Sequence, residues 1–165
     1  MAEGRSVLIN LAKGLVGGAD AGILGGIFTI RVFAAAMERA RLRVADRRVA
    51  RVILDEFQTF GAVGLLNEAL AEVRKYGLSI VLANQSVTQI DGGRAGDLAH
   101  AILGNSGNLV VFRLGPKDAN LLAEWLGQEI APSTLLRLPN HTSVARLLRK
   151  GEPMPPVAFR TVRSD

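Results

Sequence analysis

The stretch Arg51-Val-Ile-Leu-Asp-Glu-Phe-Gln-Thr-Phe60 limits what this chain can fold into more than any other. Branched aliphatic residues, Val52, Ile53 and Leu54, run straight into two adjacent carboxylates, Asp55 and Glu56, and then into an aromatic turn. Such a run reads as a buried strand whose carboxyl end carries chemistry, because ligands of open α/β sheets sit beyond the carboxyl ends of the strands. Aliphatic residues followed by Asp-Glu have the form of a Walker B strand. Successive side chains of a strand point opposite ways, so the two carboxylates can divide their work. Asp55 is placed to hold the Mg²⁺ of a nucleoside triphosphate, and Glu56 to polarise an attacking water. The same pair also suits a plainer role, ending a strand and capping the next helix.

Composition narrows the choice. A chain of 165 residues with 48% hydrophobic content can build one domain with a substantial core. The absence of Cys excludes disulfides, thiolate metal sites and a Cys nucleophile, and with His100 and His141 the only histidines a His-rich metal site is not expected. The net charge of +5, carried mostly by arginine, favours an anionic partner, nucleic acid ahead of a membrane surface. The apolar run over residues 21–30 is stopped by Arg31 and falls short of the roughly 18 residues that a membrane span needs. Met1-Ala-Glu-Gly-Arg5 does not lead into a signal peptide, and the chain is expected to be soluble.

In order, residues 6–11 read as a short apolar strand and residues 12–20 as a glycine-rich loop. The loop is not a P-loop, since Gly-x-x-x-x-Gly-Lys followed by Ser or Thr occurs nowhere in the chain. Residues 21–43 read as a long helix with Ile23, Leu24, Ile27, Ile30, Ala34 and Met37 at helical spacing, and Gly25-Gly26 permits a close backbone crossing. Arg39, Arg41, Arg43, Arg47, Arg48 and Arg51 form a basic segment, either a solvated helix end or a phosphate contact. A second helix is expected over residues 63–76, with Gly77 just past its end, followed by a strand over 78–83 that ends in Asn84-Gln85-Ser86. Strand, helix and strand make a βαβ unit, which brings Asp55, Glu56 and Gln85 to one rim of a parallel sheet. Beyond it come a helix over 97–103, a strand over 108–114 with Arg113 near its end, a helix through Leu126 with Trp125 in its core stripe, helical turns over 132–138 and a last strand over 143–148. Pro153, Pro155 and Pro156 point to an extended arm.

The order and spacing of these motifs resemble a known family. Val7-Leu-Ile-Asn-Leu-Ala-Lys-Gly14, Leu24-Gly-Gly26, the Asp-Glu strand, Glu72-Val-Arg-Lys-Tyr-Gly77, Ala83-Asn-Gln85, Gly104-Asn105, Phe112-Arg-Leu-Gly115 and Leu138-Pro-Asn140 are similar to the carboxyl-terminal half of TraG/TraD-type conjugative coupling proteins. These belong to the FtsK and HerA superfamily of RecA-like, typically hexameric, DNA-pumping ATPases. The resemblance implies a partial RecA-like P-loop NTPase fold, α/β with a mostly parallel sheet and helices on both faces. Residues 1–150 would be its Walker B and sensor half, and 151–165 a tail. It makes Asp55 the Mg²⁺-associated carboxylate, Glu56 the catalytic one, Gln85 a sensor of the γ-phosphate or its water, Arg74 an arginine finger for a neighbouring subunit, and Arg113 a weaker candidate on the nucleotide side.

The same resemblance implies ATP and Mg²⁺ as cofactors, DNA as cargo, a hexamer, and relaxosome and secretion-channel proteins as partners. The location would be cytoplasmic, at the inner face of the bacterial inner membrane. The departure from the family is the missing Walker A strand and loop, which supply most phosphate binding. The chain alone is therefore expected to lack full ATPase activity. The leading reading is part of a motor that moves single-stranded DNA. The alternatives are a HerA-type duplex translocase and a non-catalytic module that binds DNA or a relaxosome protein.

Overall fold

The computed structural model describes residues 4–60, 70, 72–90, 96–127 and 129–162. They form two compact units that divide between Gln85 and Ser86.

The first unit opens with a one-turn helix, α1 (Lys13–Val16), inside the segment expected to be a loop, and the long helix α2 (Gly18–Met37), which tightens into a 3₁₀ turn over Glu38–Arg41. The strand expected over residues 6–11 is not formed: Val7 and Leu8 are 80% and 97% exposed. An apolar run becomes a strand only beside a partner that takes up its N–H and C=O groups. No described strand pairs with this segment.

Helix α2 buries a face of small residues, Ala21, Gly25, Gly26, Thr29 and Ala36, with Phe33 as its one large anchor. The small residues make room for the turn that follows the Asp-Glu pair. A Cβ on Gly25 would lie 2.2 Å from the Phe60 ring, and one on Gly22 2.9 Å from the Thr59 carbonyl. The close crossing expected at Gly25 is therefore present, with an aromatic ring as its partner. Thr29 is satisfied in this packed face, its Oγ1 donating to the Gly25 carbonyl at 2.7 Å. By length and composition alone the helical stretch Gly18–Arg41 could cross a membrane, which corrects the shorter span counted from the sequence. The core helix of a soluble protein and a signal sequence pass the same measure, and a third of this apolar window is buried.

Strands β1 (Ala50–Asp55) and β2 (Leu78–Ala83) pair in parallel, with Ala50 opposite Leu78 and Asp55 opposite Ala83. Most of the helix expected over residues 63–76 lies outside the described residues; a 3₁₀ turn over Val73–Tyr76 runs into Gly77. Gly77 takes the left-handed φ of 76° that ends helices, and its carbonyl accepts the Ala50 amide at 2.9 Å. The strand expected to be buried is only half covered. Arg51, Ile53 and Asp55 alternate outward, and Ile53 is 68% exposed beside Val81 at 43%. Two strands covered on one face leave the other open, whereas parallel sheets are ordinarily covered on both.

The second unit holds α3 (Gly96–Asn105), β3 (Leu109–Val111), α4 (Pro116–Leu126), α5 (Pro132–Leu136) and β4 (Thr142–Arg146), close to the expected elements. Pro116 and Pro132 stand in the first turns of their helices, where the missing N–H costs nothing. A hairpin joins β5 (Leu148–Arg149) to β6 (Glu152–Pro153) through Lys150 and Gly151, both at positive φ, as a two-residue hairpin turn requires. Residues expected in an extended arm instead form β7 (Val157–Arg160), which pairs antiparallel with β4 in the sheet order β3-β4-β7. The core gathers Leu122, Leu126, Leu135, Val111 and Val144. Trp125 is half-buried at its margin, edge-on to His100 with ring centroids 6.3 Å apart. Asp118, buried in α4, accepts the Thr88 amide at 3.1 Å and ties down the turn over Val87–Gln89.

Replacing Gly25 tests the α2 crossing. Gly25→Ala gains helix propensity but drives a methyl into Phe60, and a net loss of about 1–3 kcal/mol is expected in urea unfolding. Gly18→Ala, in open space, is expected to be neutral or slightly stabilising.

Candidate functional site

The β1–β2 register sets the geometry of the site. Asp55 is the last residue of β1 and lies beside Ala83, the last of β2, so the polar residues that follow each strand leave from the same rim. Asp55 and Gln85 are both exposed there. Glu56 leaves the strand in the left-handed region, at φ 50° and ψ 40°, which turns the chain sharply away from the strand axis. Phe57, 1% exposed, then plunges into the core and anchors a 3₁₀ turn over Phe57–Thr59. The Thr59 amide closes this turn on the Glu56 carbonyl at 2.9 Å. Gln58, which sequence reasoning passed over, donates from Nε2 to Glu56 Oε2 at 2.7 Å.

The rim thus carries two carboxylates in different settings. Asp55 is open to solvent, while Glu56 is half-buried and hydrogen-bonded. Mg²⁺ in phosphoryl-transfer sites takes one or two carboxylates and fills its other positions with phosphate and water, and a single exposed Asp55 fits that mode. Among the described residues no group of three or more His, Cys, Asp or Glu could enclose a metal by itself.

Arg74 is not on this rim. It lies in the turn before Gly77, at the amino-terminal ends of the strands, about 17 Å along the sheet from Asp55 at roughly 3.3 Å per residue. Its carbonyl accepts the Gly77 amide at 3.0 Å, and among the described residues its side chain makes no hydrogen bond or ion pair. Its neighbour Lys75 pairs with Glu72, a bond that raises the lysine's pKa.

The turn that presents Arg74 is held from outside. Arg47 donates from Nη1 to the Lys75 carbonyl at 2.7 Å and from Nη2 and Nε to the Leu42 carbonyl at 2.9 and 3.1 Å, and its guanidinium lies 5.7 Å from the centre of the Tyr76 ring. Arg39, buried, reaches the Gly77 carbonyl at 3.4 Å. Arg43 pairs with Asp46. Arg39 and Arg47 are therefore spent on the fold, and Arg41, Arg43, Arg48 and Arg51 are left outward, Arg43 in its surface pair with Asp46. No spacing in the sequence separates a clasping arginine from a solvated one.

Arg113 belongs to the second unit. It follows β3, is exposed, and lines an open cavity of about 340 Å³ with Phe112, Pro139, Asn140, His141 and Thr142.

Comparison with solved structures identifies the fold as part of a RecA-like P-loop NTPase domain. The trigonal form of the bacterial conjugative coupling protein TrwBdeltaN70 in complex with sulphate has a TM-score of 0.69 at 20% identity, over 89% of this chain and 38% of that one. The plasmid coupling protein TrwB in complex with ADP and Mg²⁺ has a TM-score of 0.63 at 21% identity, over 78% of this chain and 34% of that one. The genome packaging NTPase B204 from Sulfolobus turreted icosahedral virus 2, in complex with AMPPCP, has a TM-score of 0.58 at 14% identity, over 84% and 63% of the two chains. This chain thus spans little more than a third of the coupling-protein structures it matches. The family model for the TraM recognition site of TraD and TraG matches residues 50–137, more than half of the chain, and the chain belongs to that family. No curated protein matches its sequence.

The clasp can be tested by unfolding. Arg47→Ala removes its bonds to the Lys75 and Leu42 carbonyls and is expected to cost about 1–3 kcal/mol in denaturant unfolding. Arg41→Ala, on the outward side, is expected to stay within about 0.5 kcal/mol of the parent.

Proposed function

We propose that this chain is the Walker B and sensor half of an ATP-driven DNA motor of the conjugative coupling type, working as part of a longer protein. One observation carries the reading. The parallel pair puts Asp55, Glu56 and Gln85 at one end and an unpaired Arg74 at the other. One copy therefore cannot bring Arg74 to its own carboxylates, but adjacent copies in a ring can bring one set to the other. Family membership and the nucleotide complexes of TrwB support the same assignment.

In this reading bound Mg-ATP supplies the phosphoryl group and the cation that offsets its charge. Asp55 holds the cation through an oxygen or a water, and Glu56 orients the water that attacks the γ-phosphorus. Gln85 senses that phosphate from the end of β2, and Arg74 enters the neighbour's site as a finger. Arg113 is a secondary candidate for nucleotide contact. The phosphate cradle comes from the rest of the longer protein. DNA, single-stranded in the coupling process, is the cargo; the assembly is a hexamer at the cytoplasmic face of the inner membrane, and relaxosome and channel proteins are its partners. Arg41, Arg48 and Arg51 are the outward arginines for phosphate contacts. A second reading, a docking module without catalysis, is favoured by the family's description as a TraM recognition site.

Complementation between subunits of the longer protein separates the two. Glu56→Gln and Arg74→Ala are each expected to lower DNA-stimulated ATP turnover by about 10³-fold or more, as loss of an arginine finger does. Mixed subunits are expected to recover part of that turnover, because some interfaces then join an intact Glu56 to an intact Arg74. Undiminished turnover in both variants, with retained capture of a relaxosome protein, would leave the docking module standing. The 165-residue chain alone is expected to show no turnover.

A further inference from the structure

We propose that Gln58 is a positioning residue for Glu56, its side-chain amide holding the carboxylate in the orientation from which it acts on water; this rests on the catalytic reading of Glu56 given above. The Nε2 to Oε2 distance of 2.7 Å is that of a charge-assisted bond, shorter than a bond between neutral groups. Among the described residues the other carboxylate oxygen, Oε1, has no partner, so one oxygen is fixed by Gln58 and the second is left for a proton donor.

Three further features show that this contact is built rather than incidental. Glu56 is in the left-handed region, uncommon for a residue with a side chain and found where surrounding structure over-determines the backbone. Gln58 lies in a 3₁₀ turn that begins at buried Phe57 and is followed by Phe60, which fills the space above Gly25. Its carbonyl Oε1 is buried and has no hydrogen-bond partner among the described residues. Buried polar atoms are nearly always paired, so an orphaned one calls for a reason, and a side chain held by its other end is such a reason. The amide cannot be turned to satisfy Oε1 without facing the Glu56 carboxylate with an oxygen and losing the donated bond.

Two measurements test the proposal together. In the 165-residue chain, the Gln58 side-chain amide is expected to give a downfield, exchange-protected ¹⁵N–¹H resonance that collapses to an ordinary position in Glu56→Ala. In the longer motor protein, Gln58→Leu is expected to lower kcat about 10- to 100-fold with KM for ATP unchanged, as a small misplacement of a catalytic group does. Gln58→Glu, which faces the carboxylate with a like charge, is expected to fall at least as far. An ordinary amide resonance in the parent, or a Gln58→Leu variant that melts earlier but turns over at the parental rate, overturns the proposal. Turnover that survives Glu56→Gln removes the catalytic reading instead, and the proposal with it, and is read from a different variant.

Discussion

The hydrogen-bonded register of β1 against β2 is the constraint on which the rest of the first unit depends. Parallel pairing forces both strands to end at the same edge, and the polar residues beyond each end inherit that placement. A slip of β1 by one residue would turn Ile53 to the covered face and carry Val52 and Leu54 outward. The register is set at its start by the Gly77 carbonyl, which takes up the Ala50 amide, and only a residue tolerant of positive φ can present that carbonyl directly after a helical turn.

Packing then converts this edge into a defined site. The turn after Glu56 fits against α2 because that helix has glycine where a methyl would collide with an aromatic ring. Helix propensity is given up at Gly22 and Gly25, and the return is a short distance between the α2 axis and the backbone that follows the carboxylates. On the opposite edge the same economy of space is achieved with guanidinium groups. Arg39 and Arg47 satisfy carbonyls at the end of a helical turn, a task usually left to water or to a capping residue.

Much of this was legible in the chain. Aliphatic runs closed by polar residues marked β1 and β2, glycine after Lys75-Tyr76 marked the helix end, and prolines marked the first turns of α4 and α5. These are local signals, and local geometry decided them. Residues 6–11 failed because a strand is a property of a pair, and an apolar run along one segment cannot reveal whether it finds a partner. Val157–Arg160 failed in the opposite sense: the preceding prolines suggested a free arm, yet β4 had an edge to offer. At the candidate site the carboxylates and Gln85 could be named from the residues, and Arg74 from the family resemblance alone. The bond from Gln58 and the clasp of Arg47 could not, since each depends on a turn or a long-range approach that leaves no periodic trace.

The strands between the two ends of the first unit are six residues long, without a bulge, and every rung is in place. Such a pair behaves as a strut. A push on the turn that carries Arg74 is transmitted along covalent bonds and aligned hydrogen bonds to Asp55 rather than absorbed on the way. The polar rim and the turn before β2 are thereby joined stiffly, and what displaces one end is felt at the other.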